Sequence, residues 1–186
     1  MFVRLLAGGW DAAKRVNRET EFGITPKLTV LVRLASILHL DRRRDAKETD
    51  FKLATKLTLP IYLDRWDRLL DELIQDGLLV PAGSAFTFSH LSFQEFLAAK
   101  DLFDPSDKGP IYAVDQYLSG DDWWREVVLF YIALSGKPVE MERFIRDLAK
   151  KRLTRTGDIS IGERMNVLFQ EMMMTFPGSN PDISAI

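Results

Sequence analysis

Apolar positions first recur with helical spacing from Lys27, where Leu28, Leu31, Val32, Ala35, Ile37 and Leu38 form a wide stripe. The spacing predicts a helix that ends before DRRRDAKETD, a run read as a charged loop. Upstream, residues 2–22 carry a weaker helical pattern broken by Gly8 and Gly9, and Gly23 with Thr25-Pro26 supplies a stop and a new start. Asp50 or Thr49 is placed to cap a short helix, FKLATKLT. Thr58-Leu59-Pro60 then opens the clearest amphipathic helix, Ile61 to Asp76, with Leu63, Trp66, Leu69, Leu70, Leu73 and Ile74 at steps of three and four.

The period then changes. Gly77 follows Asp76 where a left-handed residue ends a helix, and the short apolar runs LLV and AFTFS flank the turn Pro81-Ala82-Gly83-Ser84, which reads as a β-hairpin. The alternation of Phe86 and Phe88 gives way after Ser89 to helical spacing. Ser92 and Glu95 stand as the S/T-x-x-E capping box, with Ser92 the expected N-cap and Phe93, Phe96, Leu97 and Leu102 the expected inward face. His90 falls in the elbow between hairpin and helix.

Past the loop DPSDKGP, YAVDQYL predicts a short helix. Asp121 or Asp122 caps WWREVVLFYIALS, whose apolar residues leave so little polar surface that burial on most sides is expected. Gly136 and Pro138 end it. Val139 to Lys151 and Ile161 to Met174 give two more helices, the second with Ser160 and Glu163 as a further capping box, and PGSNPDISAI reads as a frayed tail. The whole is mainly α with a small β-hairpin. The expected division is a helical lead-in over 1–23, a winged-helix domain over 24–90, a helical, superhelix-like domain over 91–175 and a flexible tail over 176–186.

Composition narrows the function classes. The 186 residues are 46% hydrophobic and 28% charged, ordinary for a folded chain, and 25 basic against 27 acidic residues give a net charge of −2 that draws no polyanion. Cysteine is absent, which removes disulfides and thiolate metal sites and fits a reducing, cytoplasmic setting. No run approaches the roughly 20 apolar residues of a membrane span, so no membrane partner is expected. Neither a phosphate-binding loop, a dinucleotide fingerprint, a zinc-protease motif nor a nucleophile elbow occurs, and His39 and His90 are the sole imidazoles, so no catalytic or metal-ligating set is expected. In the winged-helix recognition position, Ile61 to Asp76 carries Asp64, Asp67, Asp71, Glu72 and Asp76 against Arg65 and Arg68, which phosphates would repel. The triplet Arg42-Arg43-Arg44 reads as a solvated loop beside Asp41 and Asp45. Trp66, Trp123 and Trp124 read as packing residues, as do Phe86, Phe88, Phe93, Phe96 and Leu97.

The stretch FTFSHLSFQEFLAAKDLF resembles the end of the winged-helix domain in NACHT-type STAND NTPases, the class of NOD-like receptors and many bacterial defence proteins. Leu78-Leu79-Val80 and Trp124-Arg125-Glu126-Val127-Val128-Leu129 are similar to the family's surroundings, and the likeness covers about residues 20 to 150. The resemblance implies a signal-relay role without catalysis. The histidine matching His90 reaches the β-phosphate of ADP held by an ATPase core, in cis or in trans, and keeps the protein closed until ATP replaces ADP and it assembles into a homo-oligomer. The core's phosphate-binding loop and magnesium-binding acids have no counterpart in these residues, so ADP, ATP and Mg are expected with an intact parent and no cofactor with this chain alone. A fragment and a gene separated from its ATPase half both stay open. Two other functions share the composition: a free-standing winged-helix DNA-binding regulator with a helical dimerisation domain, and an adaptor indifferent to nucleotide.

Overall fold

The structure, a computed structural model, describes residues 20–102 and 109–175. The expected lead-in helix and the tail lie outside these residues, apart from Thr20–Phe22, which are not helical. The chain divides into two compact units, Met1–Asp101 and Leu102–Ile186. Both are built mainly from helices.

In the first unit, α1 (Ile24–Leu40) buries Val30, Leu31, Leu34, Ala35 and Leu38 along one face, as its spacing dictates. It closes with a left-handed residue that is not glycine: Arg42 has φ 56°, and the amides of Arg42 and Arg43 donate to the carbonyls of His39 and Leu38. The expected loop that follows holds a strand, β1 (Asp45–Ala46), and then α2 (Glu48–Thr58). α2 starts before the predicted FKLATKLT, so Asp50 is not its N-cap. Asp50 sits in the first turn and its carboxylate accepts from the Lys47 amide at 2.8 Å.

The amphipathic stretch after Pro60 is not one helix. A 3₁₀ helix, Pro60–Arg65, precedes α3 (Trp66–Gln75), and the break follows burial: no residue of the 3₁₀ segment is buried and Ile61 is 72% exposed, whereas Leu69, Leu70 and Leu73 fix α3 to the core. Gly77 takes the expected left-handed position at φ 71°, and the amides of Gly77 and Leu78 return to the carbonyls of Ile74 and Leu73. The hairpin follows, β2 (Leu79–Ala82) and β3 (Ala85–Phe88), joined at Gly83-Ser84 with Gly83 at φ 65°, as a two-residue turn led by glycine requires. β1 adds to the other side of β3, giving an antiparallel sheet of order β1-β3-β2 with Ala46 opposite Phe86. Phe86 and Phe88 point into the core, where the Phe86 ring meets Phe51 edge-on at 6.1 Å.

α4 (Leu91–Asp101) packs along α1 and belongs to the first unit, which moves the expected boundary from residue 90 to 101. Small residues explain the fit. Gln94, Leu97, Ala98 and Ala99 form its buried face, and the alanines allow the two helices to approach closely. Phe93 and Phe96, expected on that face, are only half-buried.

The second unit contains α5 (Gly109–Leu118), a 3₁₀ turn at Asp122–Trp124, α6 (Arg125–Ser135), α7 (Pro138–Thr156) and α8 (Ser160–Thr175). Asp121 accepts from the Trp123 amide as predicted, and Trp124 is buried with its ring edge-on to Tyr112 at 5.3 Å. α6 is less buried than its composition predicts. Val127, Val128 and Ile132 turn inward, while Phe130 and Tyr131 are half-buried and Leu134 is exposed. α7 runs past the expected end at Lys151 to Gly157, whose φ of 69° stops it. α8 begins at Ser160 itself, so Ser160 is not its N-cap; the Asp158 carboxylate accepts from the Ser160 amide at 3.0 Å. Among the described residues no helix is long and apolar enough to cross a membrane.

Candidate functional site: the hairpin-to-helix elbow

The strand β3 and the first turn of α4 fix His90 from both sides. The Ser89 amide donates to the Leu78 carbonyl at 3.0 Å, extending the hairpin ladder by one bond, and the Phe93 amide donates to the His90 carbonyl at 3.0 Å. The backbone of the elbow is therefore committed while the imidazole is exposed. Its ring stands edge-on to Phe93 at 5.2 Å, a contact that orients it at the start of a helix.

α4 begins two residues earlier than the capping-box spacing predicts. His90 occupies the N-cap place, and Ser92 is the second residue of the helix rather than its cap. Ser92 is exposed and Glu95 half-buried. The reason is visible in β3: the ladder bond at Ser89 ends the strand, and Leu91, half-buried, takes the first helical place. A helix N-terminus presents unsatisfied amides and a positive dipole end, so an imidazole there adds a donor to a place already favourable to anions.

A polar network ties the first turn of α4 to the residues that follow α1. Gln94 is 1% exposed, and its Nε2 donates to the Arg43 carbonyl at 2.8 Å. The Arg43 guanidinium in turn holds Asp50 by a two-point fork, Nη1 to Oδ2 at 2.9 Å and Nη2 to Oδ1 at 2.8 Å, and reaches Asp41 at 3.2 Å. Hydrogen bonding from Arg43, against the opposing effect of burial, holds the Asp50 carboxyl below its ordinary range. Arg43 is thus a structural tie and not the solvated residue expected within the triplet. A glutamine inside an otherwise apolar helical face was the available signal, because buried amides are kept where they find partners.

A second charge cluster anchors α3. Lys27 is 2% exposed and its ammonium contacts Asp76 at 2.8 Å and Glu72 at 2.9 Å. Glu72 also accepts the amides of Glu21 at 2.6 Å and Phe22 at 3.4 Å, while the Glu21 carboxylate pairs with Arg65 and Arg68. Phe22 is buried against Tyr62, ring centroids 5.3 Å apart. Two of the acids counted over Ile61 to Asp76, Glu72 and Asp76, therefore have structural work inside the unit, whereas Asp64, Asp67 and Asp71 are exposed. Trp66 is half-buried and carries the Lys52 ammonium 4.1 Å over its ring, so it is a surface-edge residue and not core.

No group of acidic or histidine side chains suited to hold a metal ion occurs among the described residues. Set against protein-family models, curated protein sequences and solved structures, the chain matches none of them.

Proposed function

We propose that the first unit is the winged-helix switch of a NACHT-type signalling ATPase, and that His90 is the residue through which it senses a bound diphosphate. The observation that carries this is the placement of His90: an exposed imidazole on a fixed backbone, at the N-cap place of an 11-residue helix directly after the hairpin. The order α1, β1, α2, α3, β2, β3 with sheet order β1-β3-β2 supports the winged-helix reading, with the hairpin as the wing and α3 in the recognition position.

In this role the unit does no chemistry. An ATPase core, in cis or in trans, holds ADP with Mg, and His90 donates a hydrogen bond to the β-phosphate, which keeps the switch docked. Exchange for ATP removes that bond, the unit swings as a rigid body, and the second unit relays the movement towards self-assembly. The coupling has a physical limit: a charge-assisted hydrogen bond of this kind supplies about 1.5–3 kcal/mol, enough to bias a two-state equilibrium by roughly tenfold to a hundredfold.

The test has two steps. The reading frame upstream of Met1, or a neighbouring gene, is expected to encode G-x-x-x-x-G-K-[ST] within an ATPase domain. In the assembled protein His90→Ala is expected to speed release of a fluorescent ADP analogue about tenfold or more. Unchanged release from a folded His90→Ala protein removes His90 from this role.

A further inference from the structure

A cavity of about 400 Å³ opens in the second unit between α5 and α7, within the size range of small-molecule sites. α5 contributes Ile111, Tyr112 and Asp115. α7 contributes Leu148, Lys151, Arg152 and Arg155, which share one helical face because they stand at i, i+3, i+4 and i+7. The cavity therefore has two kinds of wall. Ile111 and Tyr112 are each 48% exposed, an unusual cost for large apolar side chains on adjacent positions, and Leu148 lies across from them. The remaining wall is cationic.

The three cations are not equivalent. Arg152 is engaged by Asp115, which uses part of a guanidinium with five donors and holds it rigid. Lys151 and Arg155 are exposed and make no ion pair among the described residues. One carboxylate against three cations leaves a positive site, and the fixed Asp115 keeps an anion away from the α5 side. A charged ligand group is directed to Lys151 and Arg155, with Arg152 behind them, and the body of the ligand falls on Tyr112, Ile111 and Leu148.

We infer that this cavity binds a small organic phosphate with a flat or apolar body, independently of the role given above to His90. Aromatic stacking on Tyr112 supplies affinity for the body, and the unpaired Lys151 and Arg155 supply the selection for phosphate over a neutral analogue. A mononucleotide-sized molecule fits the volume.

The experiment is calorimetric titration of the full chain at low salt with three probes: phenyl phosphate, inorganic phosphate and phenol. Phenyl phosphate is expected to bind in the low millimolar range or tighter, at least tenfold better than either fragment. Lys151→Ala with Arg155→Ala is expected to weaken it tenfold or more, and Tyr112→Ala to remove the preference over inorganic phosphate. Lys151 and Arg155 are exposed, so their double variant keeps the wild-type melting temperature, whereas Tyr112→Ala also loses the edge-on contact with Trp124 and is titrated below its own melting temperature, measured alongside. Equal binding of inorganic and phenyl phosphate, no binding of phenyl phosphate, or insensitivity to these substitutions overturns the inference. So does binding of a glutamate-rich peptide in place of phenyl phosphate, which makes the surface a protein-docking face.

Discussion

Lys27 is held almost wholly out of water between two carboxylates, an arrangement that is costly to break from one side. Burial alone pushes its ammonium pKa down, but the hydrogen bonds and charges of Asp76 and Glu72 more than offset this and hold it above its ordinary 10.5. A raised folded value means that the pairing stabilises the unit fully below pH 10.5 and is lost as pH climbs through the higher folded value. Lys27→Ala takes from the buried Asp76 and the half-buried Glu72 the ammonium they share and is expected to cost about 3 kcal/mol in chemical denaturation. A loss under about 1 kcal/mol would mean that water replaces the ammonium. Asp50 works in the opposite direction. Its carboxyl lies below its ordinary 3.8 through the Arg43 fork, so its contribution is present above that pH and disappears as pH falls through the lower folded value. Asp50→Asn is expected to flatten the acid limb of a pH–stability curve below about pH 4. Curves that stay parallel there would place the acid sensitivity elsewhere.

Elements whose burial repeats along the chain were legible in the sequence: α1 from its stripe, the hairpin from its alternation around Gly83, and the stop at Gly77. Those set by long-range partners were not. β1 is a strand of two residues, Asp45–Ala46, too short to carry a period, and it exists because Phe86 and Thr87 offer an unpaired edge. The buried face of α4 was misassigned because Phe93 and Phe96 outweigh Ala98 and Ala99 in any apolar count, while close packing on α1 favours the alanines. His90 was singled out from its motif, and the structure adds its exposure. The tie from Gln94 on α4 to the Arg43 carbonyl beyond α1 left one local trace, a glutamine on an otherwise apolar face, and none of its partner. Charge on α3 was legible in sign but not in distribution, since Glu72 and Asp76 serve Lys27. The exposed remainder, Asp64, Asp67 and Asp71, with Arg65 and Arg68 drawn to Glu21, still opposes phosphate contact. A labelled DNA duplex at low salt is therefore expected to show no salt-dependent anisotropy change with the chain, and a steep dependence on salt would restore the DNA-binding alternative.

At the scale of the molecule, the proposed switch requires that its contact residue be dispensable for folding. A residue that both stabilised its own unit and bound a partner's nucleotide could not report nucleotide state cleanly, because removing it would change both equilibria. His90 meets the requirement on what the first unit shows: its imidazole is exposed, and its one ring contact among the described residues is an edge-on one with a half-buried Phe93. Substitutions at exposed sites of this kind usually change stability by less than about 0.5 kcal/mol. His90→Ala in the chain alone is accordingly expected to melt with the wild type, by circular dichroism, and to keep its helical signal. The same substitution in a complex with an ATPase core should then alter ADP release without altering the fold. A large loss of stability in the chain alone would assign His90 to the elbow's own architecture, as the residue that ends β3 and starts α4. The proposal would then lose the separation between holding the fold and sensing the nucleotide on which a switch depends.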